Sequence, residues 1–301
     1  MASSTLSRPA IGVFWMLVTG LCFVAVTALV KVLGPRIPAP EAAFLRYVLG
    51  LVFLIPMIRP LLHARVSGRQ WALFGARGMV HSIGVMLWFF GMTQIPLAEV
   101  TAMNYLSPVY VTIGAAVFLG ERLALRRILA VAAALLGALI ILRPGFREVN
   151  MGHLAMLFAA VVFAASYLLA KILTDELSPL VVVAMLSVWV TIGLAPFAAA
   201  VWVTPTLVEL GVLFAVACFA TAGHFTMTLA FQVAPMTVTQ PVTFLQLVWA
   251  VILGAVVFGE PTDFWVVLGG GIIMASISFL TWREAMLKRR VIAPPSPATK
   301  V

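Results

Sequence analysis

Apolar residues fall along this chain in ten long runs, parted by short stretches of proline, glycine and charge. The runs cover 11–33, 40–58, 71–92, 97–119 and 124–142, then 152–173, 179–203, 207–231, 236–258 and 263–282. A helix needs about 20 mostly apolar residues to cross the hydrocarbon core of a bilayer, so each run predicts one crossing. Gly34-Pro35, Pro60, Pro96, Gly120, Pro144-Gly145, Pro179, Pro205, Pro235 and Gly259 mark the turns between them. The first run, Ile11 to Leu33, exceeds a signal-peptide core and is expected to stay as the first helix. At the other end, Pro294, Pro295 and Pro297 predict a disordered tail after Lys288-Arg289-Arg290.

The pattern repeats itself. Gly120-Glu121 recurs as Gly259-Glu260 and Pro96 as Pro235, while Gly12, Met16 and Lys31 recur as Gly152, Met156 and Lys171. The offset is 139 or 140 residues throughout. A repeat of five crossings is odd, so the second copy enters the bilayer from the opposite face. The expected fold is therefore all-α and integral to the membrane, with ten transmembrane helices as two inverted five-helix repeats. The repeats span 11–142 and 152–282, with short cytoplasmic tails at 1–10 and 288–301. Inverted repeats are a common construction for carriers that expose one site to each side in turn.

Composition agrees. Of 301 residues, 63% are hydrophobic and 10% charged, whereas a soluble domain carries about 25% charged residues. The net charge of +9 does not call for nucleic acid, because basic residues gather in the cytoplasmic loops of membrane proteins. With the N-terminus inside, thirteen Lys and Arg fall on cytoplasmic segments against four (Lys31, Arg36, Arg143, Arg147) outside. That tally places both termini in the cytoplasm of a bacterial inner membrane. Cys22 and Cys218 both lie within runs and are expected to be buried thiols.

Asn104-Tyr105-Leu106-Ser107-Pro108-Val109-Tyr110, running to Phe118-Leu119-Gly120-Glu121-Arg122, resembles the fourth helix of the EamA family in the drug/metabolite transporter superfamily. Pro144 after Ile140-Ile141-Leu142-Arg143 matches the end of that family's fifth helix; Phe44-Leu45-Arg46-Tyr47 and Arg77-Gly78 resemble its second and third. In the second copy Phe258-Gly259-Glu260 is kept, but Leu247 stands where proline is expected. The resemblance covers about residues 11–282. It implies a central cavity lined by helices 3, 4, 8 and 9 with 1 and 6 alongside, and transport driven by a proton or substrate gradient. No GxxxxGK[ST] phosphate loop points to nucleotide hydrolysis.

Polar side chains inside a bilayer are costly and mark cavities or helix contacts. On the third run Arg77, His81, Gly84 and Trp88 share one helical face, although Arg77 also fits a snorkelling interface residue. The fourth run presents Thr101, Asn104, Tyr105 and Pro108; the 139-residue offset turns these into Gln240, Thr243, Phe244 and Leu247 on the ninth. Pro108 and Pro241 interrupt backbone bonding there. The bland alternative is that these amides and hydroxyls glue helices together. The eighth run carries Thr221, His224, Thr228 and Phe231 on one face, and Trp15 and Tyr167 add rings that could stack on a solute or hold a cation. Trp71, Trp202, Trp265 and Trp282 read as interface anchors.

Glu99, in the first turn of the fourth helix, suits either the helix dipole or, with His81, proton coupling. Glu121 and Glu260 read as structural loop residues, and Gly269-Gly270-Gly271 as a face for close helix packing in a homodimer. The spans hold no HExxH or GxSxG motif and no aspartate away from their edges, so an intramembrane enzyme, a metal site or a cofactor is not expected. The function expected is export of a small polar or zwitterionic metabolite, such as an amino acid, an amino-acid derivative or a metallophore. Arg77 and His81 would favour a carboxylate. The alternative is uptake of a vitamin or nucleoside-type solute such as riboflavin or S-adenosylmethionine.

Overall fold

A computed structural model describes residues 8–57, 61, 63–118, 125–146, 148–234 and 236–292. The chain forms ten helical crossings: α1 (Arg8–Leu33), α2 (Ala39–Gly50, drawn into a 3-10 helix over Leu51–Met57), α3 (Gly68–Gln94), α4 (Leu97–Asn104 and Leu106–Phe118), α5 (Leu125–Leu142), α6 (Met151–Thr174), α7 (Pro179–Ala200), α8 (Leu207–Val233), α9 (Met236–Thr243 and Leu245–Phe258) and α10 (Phe264–Ile292). Nine of these stretches are long and apolar enough to cross a bilayer; the tenth crossing, α9, reaches that length only with its two pieces joined. Helix α10 runs ten residues past the expected end at 282. Ala285, Met286, Leu287 and Lys288 are strong helix formers, so Lys288 to Ile292 are helical rather than tail.

The inverted repeat extends to the helix caps. Ser67 accepts from the Gln70 N–H and the Gln70 side chain accepts from the Ser67 N–H, a reciprocal box that starts α3. Thr206 and Glu209, 139 residues on, build the same box at the start of α8. The two helices begin at opposite ends of the bundle. One end carries the connections 34–38, 95–96, 201–206 and 259–263, and is called the Glu260 end below. The other, where α2, α4, α6 and α8 finish and α3, α5, α7 and α9 begin, is the Ser67 end.

Packing is between repeats rather than within them. Helix α1 lies along α8, α3 along α6, α2 along α7 and α5 along α10. Thr19 and Thr226 share a buried hydroxyl–hydroxyl bond of 2.9 Å across α1 and α8. Gly137 and Gly269 let α5 and α10 touch backbone to backbone: a Cβ on Gly269 would sit 2.4 Å from the Gly137 carbonyl oxygen. Gly270 is filled by Leu247 and Ala102, while Gly271 has open space. Two of the three glycines thus serve contacts inside the chain.

Where the core sits decides what the bundle can do. The main buried cluster takes Val26 and Val30 from α1, Ala42 to Tyr47 from α2, Val85 to Met92 from α3, Met156 to Phe163 from α6, Leu213 to Ala220 from α8 and Val266 to Ile277 from α10. Every one of those stretches is the half of its helix nearer the Glu260 end. Toward the Ser67 end the buried residues are fewer: a small cluster, Phe74, Leu173, Val181, Val182 and Met185, lies under α3, α6 and α7, and scattered small contacts such as Met16 on α1 and Ala230 and Ala234 on α8 remain. The bundle is packed solid at one end and splayed at the other.

Candidate functional site

The middle of the splayed half holds the polar groups. His81 on α3 meets Ser166 on α6, Nδ1 to Oγ 3.0 Å. Its ring lies 5.0 Å from that of Phe163, which stacks on Tyr167 at 6.3 Å and takes the edge of Trp88 at 6.5 Å. Arg77, one helical turn from His81, is 6% exposed and donates from Nη1 to the Val182 carbonyl of α7 at 2.9 Å. Its Nε has no partner among the described residues. Tyr47 and Tyr167 lie within electrostatic reach of Arg77, and Arg46, Arg77 and His224 within reach of His81. The Arg46 guanidinium sits 4.1 Å over the Tyr47 ring, and His224 meets Phe23 edge-on at 5.1 Å. Helices α1, α2, α3, α6 and α8, drawn from both repeats, thus converge on one basic and aromatic cluster. The polar partners of Arg77 and His81 seen here, the Val182 carbonyl and the Ser166 hydroxyl, are both uncharged.

The stripes on α4 and α9 meet each other where the two helices cross. Both helices break, at Tyr105 and at Phe244, and these positions are 139 residues apart. Pro108 accounts for the first break, since it brings no N–H to the Asn104 carbonyl. In α9 the equivalent residue is Leu247, so proline does not explain the matching break. Tyr105 does: its hydroxyl donates to the Thr243 carbonyl at 2.8 Å, and the Leu247 N–H, which would ordinarily hold that carbonyl, bonds the Phe244 carbonyl at 3.0 Å instead. A side chain inserted into a helical ladder breaks it.

The other predicted residues are spread more widely. Thr101 is buried with its hydroxyl given to Leu97 of its own helix; Asn104 is half-buried beside the break. Thr228 bonds the His224 carbonyl along α8. Phe244 packs on the main core. The Gln240 side chain and Glu121 lie outside the described residues. Glu99 is 4% exposed, well away from His81, and faces His153 of α6 across 2.6 Å. The Asn150 N–H donates to His153 Nδ1 at 3.1 Å, so the imidazole proton sits on Nε2 and points to the Glu99 carboxylate.

Glu260 proves central to the sealed end. Its carboxylate pairs with Lys31 and accepts from the Leu97 N–H at 2.9 Å, while Lys31 also donates to the Ile95 carbonyl at 3.0 Å. Arg36 pairs with Glu209 and Arg143 with Asp263 at the same end; the Val203 N–H donates to Glu41 at 2.7 Å. The Ser67 end has Arg69 with Glu176, at 2.7 Å. Burial is slight there, and the Arg69 hydrogen bond, helped by Gln70, holds the Glu176 carboxyl below its ordinary range. These four ion pairs and the Glu99–His153 hydrogen bond all join the first repeat to the second. No periodic signal foretold them, because each unites residues at least fifty positions apart.

The model of the EamA-like transporter family matches residues 10–143 and 150–282. The chain is 28% identical to a riboflavin transporter of Rhizobium johnstonii over 94% of its own length and 95% of the relative's. It is 26% identical to an S-adenosylmethionine uptake transporter of Rickettsia bellii over 95% and 99%, and 25% identical to the pseudopaline exporter CntI of Pseudomonas aeruginosa over 88% and 94%. A solved crystal structure shares the fold with a TM-score of 0.59 at 15% identity, covering 94% of this chain and 99% of the other.

Proposed function

From the premise that the chain belongs to the EamA-like transporter family, and is a membrane transporter rather than an enzyme, we propose that it exports a small polar or zwitterionic metabolite by alternating access. The observation that carries this reading is the uneven core: solid at the Glu260 end, splayed at the Ser67 end around Arg77, His81, Tyr167 and His224. The surplus of basic residues on the segments of the Ser67 end faces that opening to the cytoplasm of a bacterial inner membrane. A solute would then load from inside, as export requires.

Two guanidinium groups within a bilayer are costly without a counter-charge. Arg46 and Arg77 favour a solute that brings a carboxylate, with Trp88, Phe163 and Tyr167 stacking on its carbon skeleton. An amino acid or amino-acid derivative meets both demands, and so does a metallophore built from one. Glu99, held by His153, is the group best placed to take up a coupling proton. Gly271, with open space at its Cβ, offers a small-residue contact for a homodimer.

Two relatives named for riboflavin and S-adenosylmethionine make uptake the competing reading. The deciding experiment compares metabolites inside and outside cells with and without the protein, followed by flux of the responding solute into proteoliposomes. A carboxylate-bearing amino-acid derivative that accumulates inside cells lacking the protein supports export. Growth rescue of an auxotroph by external riboflavin, with no change in internal amino-acid derivatives, overturns it.

A further inference from the structure

We infer that the Tyr105 hydroxyl is a one-sided latch, a positioning group that holds the transporter in the state closed at the Glu260 end and has no equivalent in the opposite state. The inference rests on the alternating-access reading given above.

The two states of an inverted-repeat carrier are related by exchanging the conformations of its repeats. Each contact that closes one end therefore has a counterpart, 139 or 140 residues away, that closes the other. In this structure the first half of α4 packs against the second half of α9. The counterpart, the second half of α4 against the first half of α9, has at most marginal contact among the described residues. The α4–α9 seam is thus one of the contacts that differ between the two ends, and Tyr105 sits on it. By contrast, Gly12 packs on Ala234 and Gly152 on Ile95, equivalent contacts that are both made here; they belong to helix pairs that need not part.

The chemistry of the seam is unequal. Tyr105 donates to the Thr243 carbonyl, which has lost the Leu247 N–H to Phe244. The offset of 139 converts Tyr105 to Phe244, Thr243 to Asn104 and Leu247 to Pro108. In the opposite state the ring of Phe244 would approach the Asn104 carbonyl, which Pro108 deprives of its helical N–H. Phenylalanine has no hydroxyl to offer it. One closed state is therefore held by a buried hydrogen bond across the repeats, and the other presents the same carbonyl to an apolar ring. A hydrogen bond at such a site changes a two-state ratio about fivefold.

The test is a distance measurement on the full chain in lipid nanodiscs. Spin labels are placed at Pro35→Cys and Thr262→Cys, both exposed and on connections of the Glu260 end that belong to different repeats. Cys22→Ala and Cys218→Ala supply a thiol-free background. The starting protein should show a short and a long distance. Tyr105→Phe, which keeps the ring, should raise the long-distance fraction about fivefold relative to the short. Phe244→Tyr, which removes nothing from the present seam, should do the same by giving the opposite state its missing donor. Tyr105→Phe with Phe244→Tyr together should move the ratio further than either alone, an additivity that loosened packing would not produce. Two populations that neither substitution shifts would overturn the latch while leaving alternating access intact. A single distance, unchanged by any solute or substitution, would overturn both. If Tyr105→Phe fails to fold, Phe244→Tyr alone decides the matter.

Discussion

The two ends of this molecule are built from the same five-helix plan and yet hold together by different means. At the Glu260 end, apolar halves of all the paired helices close on one another, and ion pairs from Lys31, Arg36 and Arg143, with the Glu99–His153 hydrogen bond, stitch the repeats across the seam. At the Ser67 end the separate core is a small one under α3, α6 and α7, with Arg69–Glu176 on its flank, while α1 keeps its contact with α8 through Gly12 and Ala234. Symmetry of fold therefore does not impose symmetry of state. Glu99 and His153 correspond to Val238 and Val13, and Tyr105 to Phe244; the duplicated frame is kept while the polar contacts have diverged.

The contrast can be broken most forcefully at Glu260. Glu260→Gln removes the charge that Lys31 pairs with and weakens the acceptor for the Leu97 N–H. The pair is half-buried, so its loss should cost this closed state about 2 kcal/mol, below the ~3–5 kcal/mol of a fully buried pair. That shifts the state ratio roughly thirtyfold and should appear as faster thiol labelling of a cysteine at Ala102, which is fully buried on the α4 side of the seam in this closed state. Unchanged labelling would show that apolar packing alone seals this end. Next comes the α5–α10 contact, which is common to both states. Gly269→Leu must push against the Gly137 carbonyl and should destabilise the protein by about 2–3 kcal/mol, read as a lower Tm in detergent. Gly271→Leu, facing open space, should leave the monomer's Tm unchanged, and a dimer lost on that substitution would place the subunit contact there.

At the splayed end the expected effects are smaller. His81→Asn removes an imidazole that, among the described residues, is hydrogen-bonded to Ser166 and lies tilted against the Phe163 ring. It should raise KM for the transported solute about tenfold, equivalent to about 1.4 kcal/mol, with Tm unchanged; an unaltered KM would take His81 out of the solute site. Smallest is the effect of acid on Arg69–Glu176. Because the folded state holds the Glu176 carboxyl below its ordinary value of 4.5, the pair's contribution is fully present above pH 4.5 and fades as pH falls below it. A Tm profile from pH 6 to 3 should lose a small increment that Glu176→Gln abolishes.

Much of the architecture was legible from periodicity alone, since ten apolar runs and a 139-residue offset are local or additive signals. The breaks in α4 and α9 were half legible. Pro108 announced the first; Pro241 announced an interruption in α9, yet the helix runs on to Thr243 and breaks at Phe244, where a tyrosine from another helix takes the Thr243 carbonyl. The site was legible as stripes and illegible as partnerships. Arg77, His81, Trp88 and His224 do converge, while Thr101 spends its hydroxyl on its own helix and Glu99 belongs to the sealed end. Ser166, Phe163 and His153 escaped notice because a serine, a phenylalanine and a helix-capping histidine carry no signature of the residue they will meet. Glu260 looked like a loop residue and is the hub of the sealed end, for the same reason.

The bond between Thr19 and Thr226 spans 207 residues of sequence, and this bears on how the protein is made. Helix α1 leaves the ribosome first but meets its partner only when α8 emerges, so it must wait in the lipid with its hydroxyl turned inward on the Trp15 carbonyl. A chain stopped after α7 has every crossing of the first repeat and still lacks the surface against which α1 packs. Such a fragment should insert and then be cleared by quality-control proteases, whereas co-expression of the missing three helices should rescue it. Duplication gave this protein two copies of a plan, and interleaving made neither copy a folding unit.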